Sequence, residues 1–273
     1  MNVVLEWFND LRGILDDQDQ LIQAVQVGVF YTAVEISSGH TGVAVTPRLI
    51  EGGGTINSVP SAGFTIGRHA WQLADFAFAE SPLCRAIGIA TLNALSALAL
   101  GRASGGGRVH EDLDVLEAAR VNATDRVALV GVFNSHINAL KDRVVNLCVI
   151  DRHRETLRPE DRHRWMPLER APEVLAQADV VIISAAMLIE GDLDSLLSAA
   201  CNARRVIIAG PGTPLWGRPF FGHGVHALGG IRIRDSAGLL RLLAEGGSSE
   251  FFNRVVDMVT VMADGRRGSD KTT

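Results

Sequence analysis

The order of apolar and polar positions divides the chain into two parts of different texture. At the start, an amphipathic pattern over roughly twenty residues predicts a helix with Val4, Phe8 and Leu11 on its apolar face. Two runs rich in β-branched and aromatic residues follow, VQVGVFYTAVEI and TGVAVTP, and they flank a short turn that contains Gly39. This arrangement predicts a β-hairpin.

Two further helices are predicted after a polar, glycine-rich loop at 51–64. Their patterns cover 67–79 and 82–100, and Ser81-Pro82 is a typical start for the second, with serine as N-cap and proline in the first turn. A membrane span needs about twenty apolar residues. The most apolar run here, 86–100, is shorter and contains Asn93, so we predict no membrane span.

Beyond the break GRASGGGRVH, buried strands alternate with helices. The predicted strands are VALVGVF, NLCVID, DVVIIS, RVIIAG and IRIRD, and the helices between and after them are HINALKDRV, APEVLAQA, DLDSLLSAA and SAGLLRLLAEG. Continuous apolar strands followed by helices indicate a parallel sheet covered on both faces. We therefore predict an α/β protein with an N-terminal α+β domain at 1–105, a Rossmann-like domain at 106–265 and a flexible tail at 266–273.

Composition and charge exclude several classes of function. The chain has 26 Lys and Arg against 31 Asp and Glu, a net charge of −5, so we expect neither nucleic acid nor a membrane surface as partner. The N-terminus lacks the cationic segment of a signal peptide. Cys84, Cys148 and Cys201 are widely spaced among apolar residues, which predicts buried, reduced thiols and a cytoplasmic location.

In a parallel sheet, ligands bind beyond the carboxyl ends of the strands. The first such loop, 131–136, has one glycine where a dinucleotide-binding fold has GxGxxG, although Asp151 ends the next strand, where such folds hold a ribose. We therefore do not expect NAD(P), and a pocket for a different small molecule is the better reading. Asn134 in this loop and Ser184 after the third strand are candidate hydrogen-bonding groups for that pocket.

The fourth strand runs into a turn with two glycines and two prolines. This turn consists of Gly210, Pro211, Gly212, Thr213 and Pro214. Its backbone N–H groups could cradle an anion or a polar ligand. The alternative is a purely structural chain reversal.

Four other side chains are candidates. Glu190 could face the crevice or help to start a helix, and Asn93 could line an interdomain site or bond to a neighbouring loop. His223 and His226 form an HxxH pattern in a loop, where one could face the crevice or both could bind a metal.

Several of these segments resemble a bacterial and archaeal family, DUF364/DUF4213, whose label is "putative heavy-metal chelation". The similar segments are GVFYTAVEISSGHTGVAVTP, RAIGIATLNAL, ADVVIISAAMLIEGDLDSLL and VIIAGPGTPLWGRPFFGHGV. The resemblance implies an enolase-N-terminal-like domain followed by a Rossmann-like domain, with a site in the cleft between them. The cleft residues that it implies are Asn93, Asn134, Ser184, Gly210, Pro211, Thr213 and Pro214. The chain departs from the family pattern after the third strand, where Ser184-Ala185-Ala186 and Glu190 replace a Thr-Gly-type turn with an Asn.

Two functions follow as expectations. The first is a cytoplasmic protein that binds a metal ion or a small metal-chelating metabolite in the interdomain cleft, in metal homeostasis or in metallophore or metallocofactor biosynthesis. A transition-metal ion, held by His223 and Glu190, is the candidate cofactor. The alternative is a lyase or transferase acting on a small polar metabolite, with Glu190, His223 or Asp151 as the acid–base group. We also expect a homo-oligomer, because an open hairpin edge is an aggregation liability.

Overall fold

The computed structural model of the chain describes residues 2–16, 19–47, 59–60 and 62–264. Most of the predicted loop at 51–64 and the whole of the predicted tail at 266–273 lie outside these residues.

The N-terminal layer begins with helix α1 (Val3–Ile14), followed by three antiparallel strands, β1 (Ile22–Val27), β2 (Tyr31–Ile36) and β3 (Thr41–Val45). The predicted two-stranded hairpin is thus a three-stranded meander. The run that looked like one strand breaks at Gly28, whose N–H donates to the Tyr31 carbonyl at 3.0 Å. A Cβ on Gly28 would lie 2.8 Å from the Leu243 carbonyl oxygen, so only glycine fits this bend.

Helix α2 (Ala70–Ala74) leads through a 3₁₀ turn (Asp75–Phe78) to the long helix α3 (Pro82–Leu100). As predicted, Ser81 caps α3, and its hydroxyl accepts from the Cys84 N–H at 3.4 Å. Helix α3 is long and apolar enough to cross a membrane, yet 67% of that stretch is buried inside the fold. It packs against β2 and β3 as the central core helix of this layer.

The rest of the chain builds an eight-stranded sheet with helices between its strands. The elements are β4 (Gly107–His110), α4 (Val115–Ala118), β5 (Arg126–Val130), α5 (Asn134–Leu140), β6 (Asn146–Ile150), β7 (Trp165–Met166), α6 (Ala171–Leu175), β8 (Val180–Ser184), α7 (Met187–Glu190), α8 (Leu193–Ala199), β9 (Arg205–Ala209), α9 (Arg218–Gly222), β10 (Ala227–Ile233), α10 (Ser236–Ala244) and β11 (Val256–Ala263). The strand order is β4-β11-β10-β9-β8-β5-β6-β7. Within this order, each strand from β10 through β9, β8, β5 and β6 to β7 is parallel to its neighbours. At the other edge, β11 pairs antiparallel with β10, and β4 pairs antiparallel with β11.

The predicted fold class is confirmed: a small antiparallel sheet precedes a larger, mostly parallel one. Strand β8 shows why its sequence is continuously apolar. Val181 and Ile183 face the core shared with α1 and α3, whereas Val180 and Ile182 face a second core on the opposite side of the sheet. The division of the chain at residue 105 stays a prediction.

The three cysteines are free thiols in different surroundings. Cys84 is buried, Cys148 is half-buried and Cys201 is exposed. The prediction of burial is therefore wrong for Cys201, which follows the last turn of α8 at the surface, because apolar neighbours in sequence do not determine which way a loop residue faces.

Candidate functional site

The order of the strands in the large sheet reverses between β5 and β8. From β5 the chain adds β6 and β7 on one side, and then β8, β9 and β10 on the other. The connections leaving β5 and β8 therefore diverge at the carboxyl edge, and folds of this kind bind their ligands at such a point. Gly131 follows β5 with a φ of +88°, and a Cβ there would lie 2.7 Å from Cβ of Ser184 at the end of β8. Glycine is required for this close approach.

A second glycine, Gly210, follows β9 at the same edge. Gly210 has a φ of +120°, and a Cβ on it would lie 3.5 Å from the ring of Phe133. The Ser184 hydroxyl accepts from the Ala186 N–H at 3.2 Å, and Asn134 begins α5 in an exposed position. We call this place the switch crevice, and its residues are Gly131, Asn134, Asp151, Ser184 and Gly210.

Charged side chains form the rim of the switch crevice. Arg152 follows β6, and its Nε donates to Oε2 of Glu190 at 3.0 Å, while its Nη2 bonds to Oδ2 of Asp192. Oδ1 of Asp151 accepts from the His153 N–H at 2.9 Å. We call Arg152, Glu190 and Asp192 the rim cluster.

Burial raises the pKa of Glu190 above its ordinary value. Arg152 opposes this rise through its hydrogen bond and its charge, and the carboxylates of Asp151 and Asp192 add to it. A carboxyl group that binds its proton more tightly than usual at the edge of a crevice is a candidate functional group.

This shift gives a pH-dependent prediction for Glu190→Gln. Because the pKa of Glu190 is higher in the folded than in the unfolded protein, its contribution to stability falls as the pH rises above the ordinary value of 4.5. The amide does not titrate. The stability of Glu190→Gln relative to the wild type should therefore increase from about pH 4 to about pH 7, measured by urea unfolding. A difference that stays constant or decreases over this range would contradict the assignment.

The turn at 210–214 uses most of its backbone N–H groups inside the protein. The Gly210 N–H donates to the Gly229 carbonyl at 3.0 Å, and the Thr213 N–H donates to the Gly210 carbonyl at 2.9 Å. Pro211 and Pro214 have none to offer. This geometry supports the structural reading of the turn that the sequence left open.

The same turn connects the two layers of the fold. Nδ2 of Asn93 donates to the Val43 carbonyl at 2.8 Å and to the Gly212 carbonyl at 3.0 Å. Gly212 is buried, and a Cβ on it would lie 3.3 Å from Cα of Ala44. At this point α3, β3 and the turn are therefore in direct contact, and Asn93 acts as a structural bridge between them.

Thr213 is buried at 3% exposure, and its hydroxyl has no hydrogen-bond partner. A buried hydroxyl without a partner is destabilising, so Thr213→Val should raise the free energy of unfolding by about 1 kcal/mol. Thr91 offers a matched control, because it is equally buried and its hydroxyl donates to the Ile87 carbonyl at 2.8 Å. Thr91→Val should lower stability in the same urea titration. A loss of stability in Thr213→Val would show that its hydroxyl has a partner.

The predicted metal ligands do not come together. Nε2 of His223 lies 2.8 Å from Oε2 of Glu6 on α1, whereas Glu190 bonds to Arg152. Nδ1 of His226 accepts from the Val206 N–H at 3.1 Å, so the two histidines of the HxxH pattern have different partners. Within the residues that the structure describes, no group of three or more His, Cys, Asp or Glu side chains is placed to hold a metal ion.

Two side chains at this edge were not among the predicted site residues. Arg152 lies in a run of arginines and acids, and its partners Glu190 and Asp192 are 38 and 40 residues away, so their contact could not be read from the sequence. His136 stacks on the Phe133 ring with centroids 4.7 Å apart, and its buried Nδ1 has no hydrogen-bond partner. Burial lowers the pKa of His136, which favours the neutral ring. Its position two residues after Asn134 is the feature of the sequence that could have indicated His136 as a candidate.

Comparisons with known proteins identify the family of the chain and the structures that share its fold. Residues 114–262 match the family DUF364 and residues 12–96 match DUF4213, and both families are described as "Putative heavy-metal chelation". No curated protein is significantly similar to the chain in sequence.

Two solved structures share the fold along nearly the whole chain. One is a DUF364 protein of unknown function from Desulfitobacterium hafniense, with a TM-score of 0.76 at 20% identity, over 94% of this chain and 99% of that one. Another, from Pyrococcus horikoshii, has a TM-score of 0.77 at 20% identity, over 95% and 99% of the two chains. Since the DUF364 match alone spans more than half of the sequence, the chain belongs to the DUF364 family.

Proposed function

We propose that this protein binds a transition-metal ion in the form of its complex with a small chelating metabolite, and that the complex occupies the switch crevice. Such a protein would serve metal homeostasis, or metallophore or metallocofactor biosynthesis, in the cytoplasm. The family description supports the metal. The observation that supports a chelate as the ligand is the position of the Arg152 guanidinium, which Glu190 and Asp192 hold at the crevice rim.

Arg152 is suited to the organic part of such a ligand. Its guanidinium can bind a carboxylate with two parallel hydrogen bonds, which favours recognition of carboxylate-bearing chelators. Its side chain is 43% exposed, so an incoming carboxylate can compete with Glu190 and Asp192 for it. The Ser184 hydroxyl and the Asn134 amide would supply neutral contacts on the inner side.

The residues present suit a chelated metal better than a bare ion. A bare transition-metal ion needs several protein ligands in place, and no group of three is preformed in the described part of the chain. A chelate brings most of its ligands with it. Glu190, released from Arg152, could then supply a carboxylate oxygen to a remaining position.

Calorimetric titration with Ni²⁺ alone and with the 1:1 Ni²⁺–citrate complex tests this proposal. We expect the complex to bind more tightly than the bare ion, and Arg152→Gln to weaken it about tenfold or more, because a charge-assisted bond is lost. Arg154→Gln, which removes an exposed arginine two residues further on, is the matched control and should bind like the wild type. If bare Ni²⁺ bound more tightly than the Ni²⁺–citrate complex, with an affinity that Arg152→Gln did not change, the proposal would be contradicted.

The raised pKa of Glu190 favours a second candidate, a lyase or transferase in which Glu190 moves a proton on a small polar metabolite. His223 and Asp151 suit this role less, because they bond to Glu6 and to the backbone after β6. Turnover of any small carboxylate substrate that is abolished in Glu190→Gln, with binding retained, would favour the enzyme over the binding protein.

We also propose that two copies associate along β1. This strand is an edge of the three-stranded sheet. Its first residue, Ile22, pairs with the backbone of Gly67 and Arg68, whereas Val27 at its other end, and Val29 and Phe30 after it, are 42%, 70% and 47% exposed. An open apolar edge is a surface that a second copy can cover. Light scattering should give about twice the chain mass of 29.3 kDa. A monomer at high micromolar concentration would contradict this.

A further inference from the structure

Four arginines gather at the opposite edge of the large sheet, where its strands begin. Arg126 and Arg205 are the first residues of β5 and β9, Arg204 directly precedes β9, and Arg120 follows α4. We call these four residues the amino-edge arginines. The net charge of the chain is −5, so a local excess of positive charge runs against its overall balance.

Only two carboxylates in the described part of the chain pair with this cluster. Oδ2 of Asp125 bonds to Arg204 and also accepts from the Asn122 N–H at 2.6 Å. Oδ2 of Asp179 accepts from the Arg126 N–H at 2.8 Å and lies 3.5 Å from Nε of the same side chain. Each carboxylate is thus engaged by one arginine.

Arg205 is left with little compensation. Its Nη1 donates to the Arg204 carbonyl at 3.2 Å, while its Nε is buried without a hydrogen-bond partner. Burial lowers the pKa of Arg205, and repulsion from Arg120 and Arg204 lowers it further. A partly buried guanidinium beside like charges is unfavourable unless an anion compensates it.

Arg120 is also held in an unusual backbone conformation. Its φ of +48° lies in the left-handed region, and within the described chain it is the one residue other than glycine found there. Nη2 of Arg204 donates to the Arg120 carbonyl at 3.0 Å and so fixes this strained residue beside the other arginines. Strain of this kind is concentrated at ligand-binding sites.

We infer that the amino-edge arginines form a binding site for phosphate, either free or as the terminal group of a small phosphate monoester. Guanidinium groups present paired N–H donors that match the oxygens of a phosphate, and Arg120 and Arg205 have donors to spare. A dianion would offset the excess positive charge beside Arg205. The site is separate from the switch crevice, which lies at the other end of the strands, and does not depend on the proposed function.

Two measurements test this site: thermal unfolding and calorimetric titration. Both use inorganic phosphate and glycerol 3-phosphate, with chloride at equal ionic strength as the reference. We expect either phosphate to raise the Tm of the wild type where chloride does not, and Arg205→Gln to weaken its binding about tenfold. Tighter binding of glycerol 3-phosphate identifies a monoester as the ligand, whereas equal binding identifies free phosphate. Arg241→Gln, at an exposed position on α10, is the matched control and should bind like the wild type.

A second variant separates binding from folding. Arg120→Gly removes a guanidinium and relieves the positive φ, so its Tm without phosphate should equal or exceed that of the wild type while its affinity for phosphate falls. Phosphate that binds equally to the wild type, Arg205→Gln and Arg120→Gly would overturn the site. So would a wild type that responds to phosphate no more than to chloride.

Discussion

Replacing Gly88 with alanine should lower the free energy of unfolding by about 3 kcal/mol or more. Gly88 lies in α3 where the helix crosses the 3₁₀ turn before it. A Cβ at this position would lie 2.0 Å from the Ala77 nitrogen and 2.5 Å from the Phe76 carbonyl carbon. Both atoms belong to the backbone, so no side-chain rotation can relieve the overlap, and the two segments must separate.

A second helical glycine provides the control. Gly13 lies in α1, and a Cβ on it would meet nothing within 4 Å. Gly13→Ala should therefore raise stability by roughly 0.5–1 kcal/mol, because alanine loses less backbone entropy on folding. Urea titrations of both variants measure the contrast. A Gly88→Ala protein as stable as the wild type would show that α3 does not pack this closely.

The second large effect is expected for Asn93→Asp at neutral pH. The amide of Asn93 donates to the carbonyls of Val43 and Gly212, and a carboxylate there would place negative charge against both oxygens. Two hydrogen bonds are lost and a charge is left half-buried, so we expect a loss of about 3 kcal/mol or more. The pKa of the introduced carboxyl should be raised, so the loss should shrink as the pH falls and the group is protonated.

Asn93→Ala separates lost hydrogen bonds from added charge. It removes both bonds without introducing a carboxylate, so its cost should be about 2 kcal/mol and nearly independent of pH. Urea unfolding at neutral and acidic pH distinguishes the two variants. Equal and pH-independent losses for Asn93→Asp and Asn93→Ala would mean that the side chain does not face the two carbonyls.

Local patterns were sufficient for most elements of the fold. Continuous apolar runs marked β5, β8 and β9, and the Ser81 cap with Pro82 marked the start of α3. The break at Gly28 was not visible, because it depends on contact with Leu243, far away in the sequence. Strands β4 and β11 were missed because they pair antiparallel at the sheet edge, outside the alternation of strands and helices.

The candidate site was predictable in position but less so in detail. The carboxyl-edge rule located Asn134, Ser184 and Glu190 correctly on one edge of the parallel sheet. It could not show that most of the N–H groups of the 210–214 turn are already used, since one of their partners, Gly229, comes from a later strand. Nor could it show that His223 pairs with Glu6, because that contact joins α9 to the N-terminal helix.

A crystal soaked in Ni²⁺–citrate, with anomalous diffraction recorded at the nickel edge, will show whether the switch crevice binds the chelate. We expect one strong anomalous peak in the switch crevice, near the carboxylate of Glu190, with citrate density on the Arg152 guanidinium. Nickel bound at His223 or at another surface histidine, with the crevice empty, would contradict this expectation.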